Sequence, residues 1–155
     1  MLENLNFAAF ALIYTSDKSE QGIFMSHTPQ NRSKINDFCA RTGKYTPDAY
    51  EFITGSVIQT VNALEQPRHL TAVEVLDAVS SHFCENYGIL APLIAETWGI
   101  KHPSDIGEII FDLIGMQILS ASSDDKRSDF NISKSLFPES KKHSLNVELE
   151  IPKID

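Results

Sequence analysis

Residues 105 to 118 carry Ile106, Ile109, Ile110, Leu113, Ile114 and Ile118 at spacings of mostly three and four. That period puts the aliphatic side chains on one stripe of an α-helix, and a stripe made of isoleucine and leucine has to be covered by other elements. The residues before it set its start. Gly99 stops a preceding segment, His102-Pro103 interrupts the chain, and Ser104 or Asp105 caps the new helix. The helix opening there is expected to be the centre of the core.

Three other helices are legible by the same signals. Thr46-Pro47 pairs a threonine cap with a proline at the first helical position, and Phe52, Ile53, Val57, Val61 and Leu64 keep a 3.6 period, which predicts a helix over about 48 to 64. Gln66-Pro67 breaks it. Thr71-Ala72-Val73-Glu74 is a capping box, so a second helix starts at Ala72, carries Val75, Leu76, Val79, Phe83 and Cys84, and ends near Tyr87-Gly88. A short third helix runs from about Ala91 to Trp98 and is closed by Gly99. Arg68-His69-Leu70 reads as a short extended piece, and Ser26 to Ser33 as loop.

Beyond the fourth helix, Ile118 to Ser122 and Asp129 to Ile132 flank the polar turn Ser123 to Ser128, a pattern that predicts a β-hairpin. Leu145, Val147, Leu149 and Ile151 alternate with Asn146, Glu148 and Glu150, the period of a half-buried strand. The expected fold is therefore mainly α with a small β-hairpin or sheet (α+β), a four-helix core in an order like that of a winged-helix domain with an extra helix. The expected organisation is an N-terminal extension over 1–30, a helical core domain with the hairpin over 31–137, and a tail with one strand over 138–155.

Apolar residues make up 42% of the 155 residues, enough for one domain to bury a core without disulfides. Cys39 and Cys84 have no C-x-x-C or histidine spacing around them, which favours reduced thiols. The apolar run Phe7 to Tyr14 lacks a basic leader and a small-residue cleavage site, and no run approaches the roughly 20 apolar residues of a membrane span. These features set the expectation of a cytoplasmic protein without membrane contact.

Net charge is −8, unevenly placed: residues 27 to 47 balance at +3, and residues 48 to 112 hold ten acidic and two basic side chains. The basic residues lie on either side of the acidic stretch or within it. Arg32, Lys34, Arg41, Lys44 and Arg68 come first; Lys126, Arg127, Lys134, Lys141 and Lys142 come after. Brought together by folding, these ten would form a face for phosphates, which supply most non-specific nucleic-acid affinity. The alternative is that they are ordinary solvated side chains and that net −8 repels a polyanion.

No constellation in the chain specifies a reaction or a cofactor. Asp105, Glu108 and Asp112 share one side of the fourth helix, where helix capping explains the first two better than cation binding does. Residues 124 to 129 lack the glycine and terminal glutamate of a calcium loop. The histidines His27, His69, His82, His102 and His143 have no metal-ligand spacing; His69, beside Arg68 and just before a helix start, reads as a packing and hydrogen-bonding residue. Trp98 reads as core packing between the third and fourth helices, and Gly107 as a close helix contact.

Between Arg41 and about Asn131, the tracts Tyr45-x-x-Asp48-Ala49-Tyr50-x-Phe52, Arg68-His69-Leu70-Thr71, Gly88, Trp98-Gly99-Ile100, Asp105-Ile106-Gly107-Glu108-Ile109-Ile110-Phe111-x-Leu113 and Asp125-x-x-x-Asp129-Phe130 stand in order. In these the chain resembles the small signature protein family shared by bacteria of the Planctomycetes, Verrucomicrobia and Chlamydiae group. Ile106 departs from the phenylalanine common there, an apolar exchange. The resemblance implies a cytoplasmic housekeeping protein with non-sequence-specific DNA or RNA binding, no enzymatic activity and no assigned functional residues. The competing expectation is a protein-protein adaptor or homo-oligomerising module that uses the acidic helical surface.

Overall fold

A threonine cap followed by proline opens two of the helices, and in each the same chemistry is at work. The computed structural model describes residues 28 to 66, 68 to 121 and 125 to 137. In α1 (Pro29–Thr42) the Thr28 hydroxyl accepts from the Asn31 amide at 3.3 Å, and in α2 (Pro47–Asn62) Thr46 accepts from Ala49 at 3.4 Å. In both, proline stands where an amide proton would have no partner. α3 (Ala72–Tyr87) starts with the full capping box: the Glu74 amide donates to the Thr71 hydroxyl, and Glu74 Oε2 accepts from the Thr71 amide at 2.8 Å. A 3-10 turn, Gly88–Leu90, leads into α4 (Ala91–Thr97), and α5 (Pro103–Gly115) comes next. A second 3-10 turn covers Arg127–Phe130.

α5 sits at the centre, as its isoleucine stripe requires. Ile106, Ile109, Ile110 and Leu113 are fully buried, each contributing about 1.5–3 kcal/mol by transfer out of water. α2 and α3 pack against it, the Arg127–Phe130 turn closes over it, α1 packs on α2, and α4 on α3. A second focus is aromatic. Trp98 packs on the core, its ring centre 5.5 Å from those of Phe52 and Phe83 and 5.8 Å from that of Tyr87, so it joins α2 to α3.

Two glycines are required by close approach. At Gly99, φ is +92° and a Cβ would stand 2.7 Å from the Lys44 carbonyl oxygen, where the chain after α4 crosses the α1–α2 turn. At Gly107 a Cβ would stand 2.6 Å from the Phe130 side chain. The neighbour that Gly107 admits is thus a phenylalanine from the second 3-10 turn, not another helix.

The mainly helical reading agrees with the structure; the β part of it does not. Among the described residues there is no strand and no sheet. Ile118 and Leu119, assigned to the hairpin, both donate their amides to the Leu113 carbonyl, and Gln117 takes φ +59°, so they wrap the C-terminal end of α5. On the other side of the expected turn, Asp129 accepts from the Lys126 amide at 3.1 Å and winds 127–130 into a 3-10 turn. Ile118, Leu119 and Phe130 are buried as separate plugs in the core, not as one face of a ribbon. Without a wing among the described residues, the order of elements is not that of a winged helix.

The first three expected helices are present within two residues; the fourth is capped by His102 rather than Ser104 or Asp105 and ends at Gly115, so Ile118 lies beyond it, and α1 precedes them all, taking residues 29 to 33 that read as loop. The alternating run Leu145 to Ile151 and most of the 1–30 extension lie outside the described residues.

Gly107→Ala is expected to destabilise the protein by about 1–3 kcal/mol, because Phe130 has to move. Gly55→Ala in α2, where the new methyl meets nothing within 4 Å, is expected to stabilise by about 0.5–1 kcal/mol. Urea unfolding of the two variants checks both signs.

Candidate nucleic-acid interface

The acidic edge of α5 is taken up internally. Asp105 is the third residue of the helix, and its Oδ2 accepts from the Lys101 and His102 amides at 2.9 Å each, closing the N-terminus. Its Oδ1 accepts from the Tyr45 hydroxyl at 2.7 Å, and the same hydroxyl lies 3.0 Å from Glu108 Oε2. One proton is shared between two carboxylates, and Lys44 pairs with Glu108 to offset their repulsion. One turn on, Tyr50 donates to Asp112 Oδ2 at 2.9 Å, with the Arg127 guanidinium 4.0 Å from Oδ1.

The titration directions are set by these contacts. Burial works to raise the Asp105 pKa, but the Lys101 and His102 amides and the Tyr45 hydroxyl outweigh it and hold the carboxyl below its usual range. Glu108 is lowered, chiefly by Lys44. Asp112 goes the other way: burial raises it against the pull of Tyr50 and Arg127. Tyr45 and Tyr50 are pushed well above an ordinary phenol, first by burial and then by the carboxylates they donate to. Both remain protonated donors.

Of the eight basic candidates among the described residues, four are held by acids on the helices. Arg32 pairs with Glu51 of α2 at 2.9 Å, Lys134 with Asp77 of α3 at 3.1 Å, and Arg68 makes a two-pronged contact with Glu74 that holds the carboxyl at about 2. Lys44 is held by Glu108. Lys126 opens the second 3-10 turn. Lys141 and Lys142 lie outside the described residues.

Three of the ten do meet. Lys34 and Arg41 on α1 and Arg127 on the 3-10 turn line an open groove of about 480 Å³ against the C-terminal half of α5. Phe38, Phe111, Asp37, Asp112, Gly115 and Met116 complete its lining. Lys34 donates to the Met116 carbonyl at 3.3 Å, a cation at the negative end of α5. Arg41 stands 5.9 Å from the Phe38 ring centre and Arg127 5.4 Å from that of Phe111. Each guanidinium is thereby held beside an aromatic face.

Phe38 and Phe111 were not singled out from sequence. Phe38 stands three residues before Arg41, a spacing that puts the two on one helix face, but the signal is meaningful only once α1 is known to be a helix. The residues that carry the family resemblance have structural work to do: Tyr45 and Tyr50 meet Asp105, Glu108 and Asp112, and Gly107 admits Phe130. The other candidate side chains are placed simply. His69 is half-buried, its pKa lowered by burial against the opposing charge of Asp125. Cys39 is a buried thiol, raised by burial and by Asp112. Among the described residues no group of three or more histidine, cysteine and acidic side chains is arranged to hold a metal ion, and no helix is long and apolar enough to cross a membrane.

The tyrosine contacts have measurable consequences. Tyr45→Phe and Tyr50→Phe each leave carboxylate oxygens short of a donor, and each is expected to cost about 1.5–3 kcal/mol in urea unfolding at pH 7. Asp105 and Glu108 have folded pKa values below their unfolded ones, so the unfolded chain binds protons first as pH falls. Their contribution is complete above the unfolded carboxylate range near 4 and is lost as pH drops through the lowered folded values. Asp105→Asn is expected to flatten the acid limb of the stability-pH curve. No protein-family model, curated protein or solved structure matches this chain, so the functional reading of the groove rests on its own chemistry.

Proposed function

We propose that this protein is a non-enzymatic, cytoplasmic nucleic-acid-binding protein, a member of the signature family it resembles, and that it contacts phosphates through the groove between α1 and α5. The observation that carries the reading is the meeting of Lys34, Arg41 and Arg127 with Phe38 and Phe111 in one open groove. Cations beside half-buried aromatic rings that line an open groove suit a polyanion whose bases stack. Net −8 opposes long-range attraction, so binding is local, modest and independent of sequence.

Arg127 is the residue best suited to engage a phosphate. Its 4.0 Å separation from Asp112 is longer than the pairs of Arg32, Lys44, Arg68 and Lys134, and its side chain is 60% exposed. An incoming phosphate offers it a shorter, two-pronged contact. Lys34 and Arg41 sit on one helix face, seven residues apart, and extend the contact along α1.

Fluorescence anisotropy of labelled oligonucleotides tests this reading. With three phosphate contacts, the slope of log affinity against log salt is expected to lie between about −2 and −3, and Arg127→Glu or Arg41→Glu is expected to weaken binding on unrelated sequences alike. Arg68→Glu and Lys134→Glu, away from the groove, are expected to leave it unchanged. Absence of binding at low salt, or equal loss from the two control substitutions, would contradict the proposal.

A further inference from the structure

Four large apolar side chains are exposed among the described residues, and three of them are clustered: Ile89 and Leu90 are each 45% exposed and Leu93 is 53% exposed. The 3-10 turn Gly88–Leu90 runs into α4, so spacings of three and four place Leu90 and Ile89 over Leu93 on one side, while Ala91 and Ala95 point into the core. Exposed aliphatics scattered singly call for no explanation; a contiguous group on a rigid element does. Helix spacing puts Glu96 one turn beyond Leu93, and Glu85 lies in the last turn of α3 just before the cluster. Both carboxylates are exposed, and neither has an ion pair among the described residues.

We propose that Ile89, Leu90 and Leu93, flanked by Glu85 and Glu96, form a docking surface for a basic amphipathic helix of another protein. Charge chooses this occupant over the others. A second copy of the chain in a two-fold contact brings the glutamates of both copies together on two bodies of net −8. The chain's own apolar run Phe7 to Tyr14 has no charged side chain to answer Glu85 and Glu96, and the run from Leu145 to Ile151 adds Glu148 and Glu150. A nucleic acid is repelled by the same carboxylates. A helix with leucine-like residues on one stripe and lysine or arginine beside it meets both requirements. The surface is separate from the α1–α5 groove in its residues, so it stands or falls independently of nucleic-acid binding.

The test uses the full chain and two labelled helical peptides of about 14 residues, long enough to hold a helix when bound. Both have leucine on one stripe; the first has lysine on its polar face and the second glutamate. The lysine peptide is expected to bind at least about tenfold more tightly, and Leu90→Asp with Leu93→Asp to weaken it by about tenfold, as loss of central anchors does. Glu85→Lys with Glu96→Lys is expected to reverse the preference, whereas Glu65→Lys, an exposed acid in the bend after α2, leaves it unchanged. All these positions are exposed, so the variants are expected to fold, which circular dichroism checks. A photo-crosslinking residue at position 93 identifies the occupant: capture of the lysine peptide supports the proposal. Capture of a second chain or of residues 7–14 of the same chain overturns it, as does a peptide preference that ignores Glu85 and Glu96.

Discussion

A helix whose face is isoleucine and whose edge is aspartate and glutamate can be buried only if something on its neighbours answers the charge. In this protein the answer comes from two tyrosines five residues apart on the first turn of α2 and the segment leading into it. Tyr45 serves Asp105 and Glu108, and Tyr50 serves Asp112. Tyrosine suits the task because it adds a large apolar body to the core and a single donor at its tip. The buried phenols and the carboxylates lock α2 to α5 in one register, and Lys44 and Arg127 supply the positive charge that the hydroxyls lack. Remove the donors and three partly buried carboxylates at the edge of the core each lose a partner, a cost above that of a surface ion pair.

The same pairing decides where charge remains available. Arg32, Lys44, Arg68 and Lys134 are matched by acids on the α-helices, and for them the polyanion competes with an existing partner. Lys34, Arg41 and Arg127 face a groove whose acids are Asp37 and Asp112, the second of which is turned toward Tyr50. Among the described residues this acidic protein thus keeps a local basic strip beside α5, and it keeps an exposed aliphatic cluster on the 3-10 turn and the short α4, between Glu85 and Glu96 in the chain. The two surfaces suit ligands of different chemistry.

Helices announced by caps were legible in the sequence: Thr46-Pro47 and the Thr71–Glu74 box open helices where they were expected, because local hydrogen bonds decide those starts. α1 bears the same threonine-proline cap at Thr28-Pro29 and a left-handed glycine at Gly43, yet its only buried side chains are Ile35 and Cys39. A helix that buries so narrow a stripe lacks the periodicity by which α5 was recognised. The hairpin failed for the opposite reason. Ile118, Leu119 and Phe130 are apolar in short runs, and a short run does not distinguish a strand from residues that plug a core one at a time. Of the site, the basic residues were visible but most of their partners were not: Arg68 with Glu74 is a neighbour contact, whereas Lys44 with Glu108 spans 64 residues. Only the fold sorts such cations into those held by acids away from the groove and those that line it.

This sorting, rather than total charge, is what places the proposed ligand surface. It is tested most directly by titrating the isotope-labelled full chain with a short single-stranded oligonucleotide and following backbone and arginine side-chain resonances by NMR. The account predicts shifts concentrated at Lys34, Phe38, Arg41, Phe111 and Arg127, with Arg68, Glu74, Asp77 and Lys134 unmoved. Shifts centred on Arg68 and Lys134, or no shifts at low salt, would contradict it.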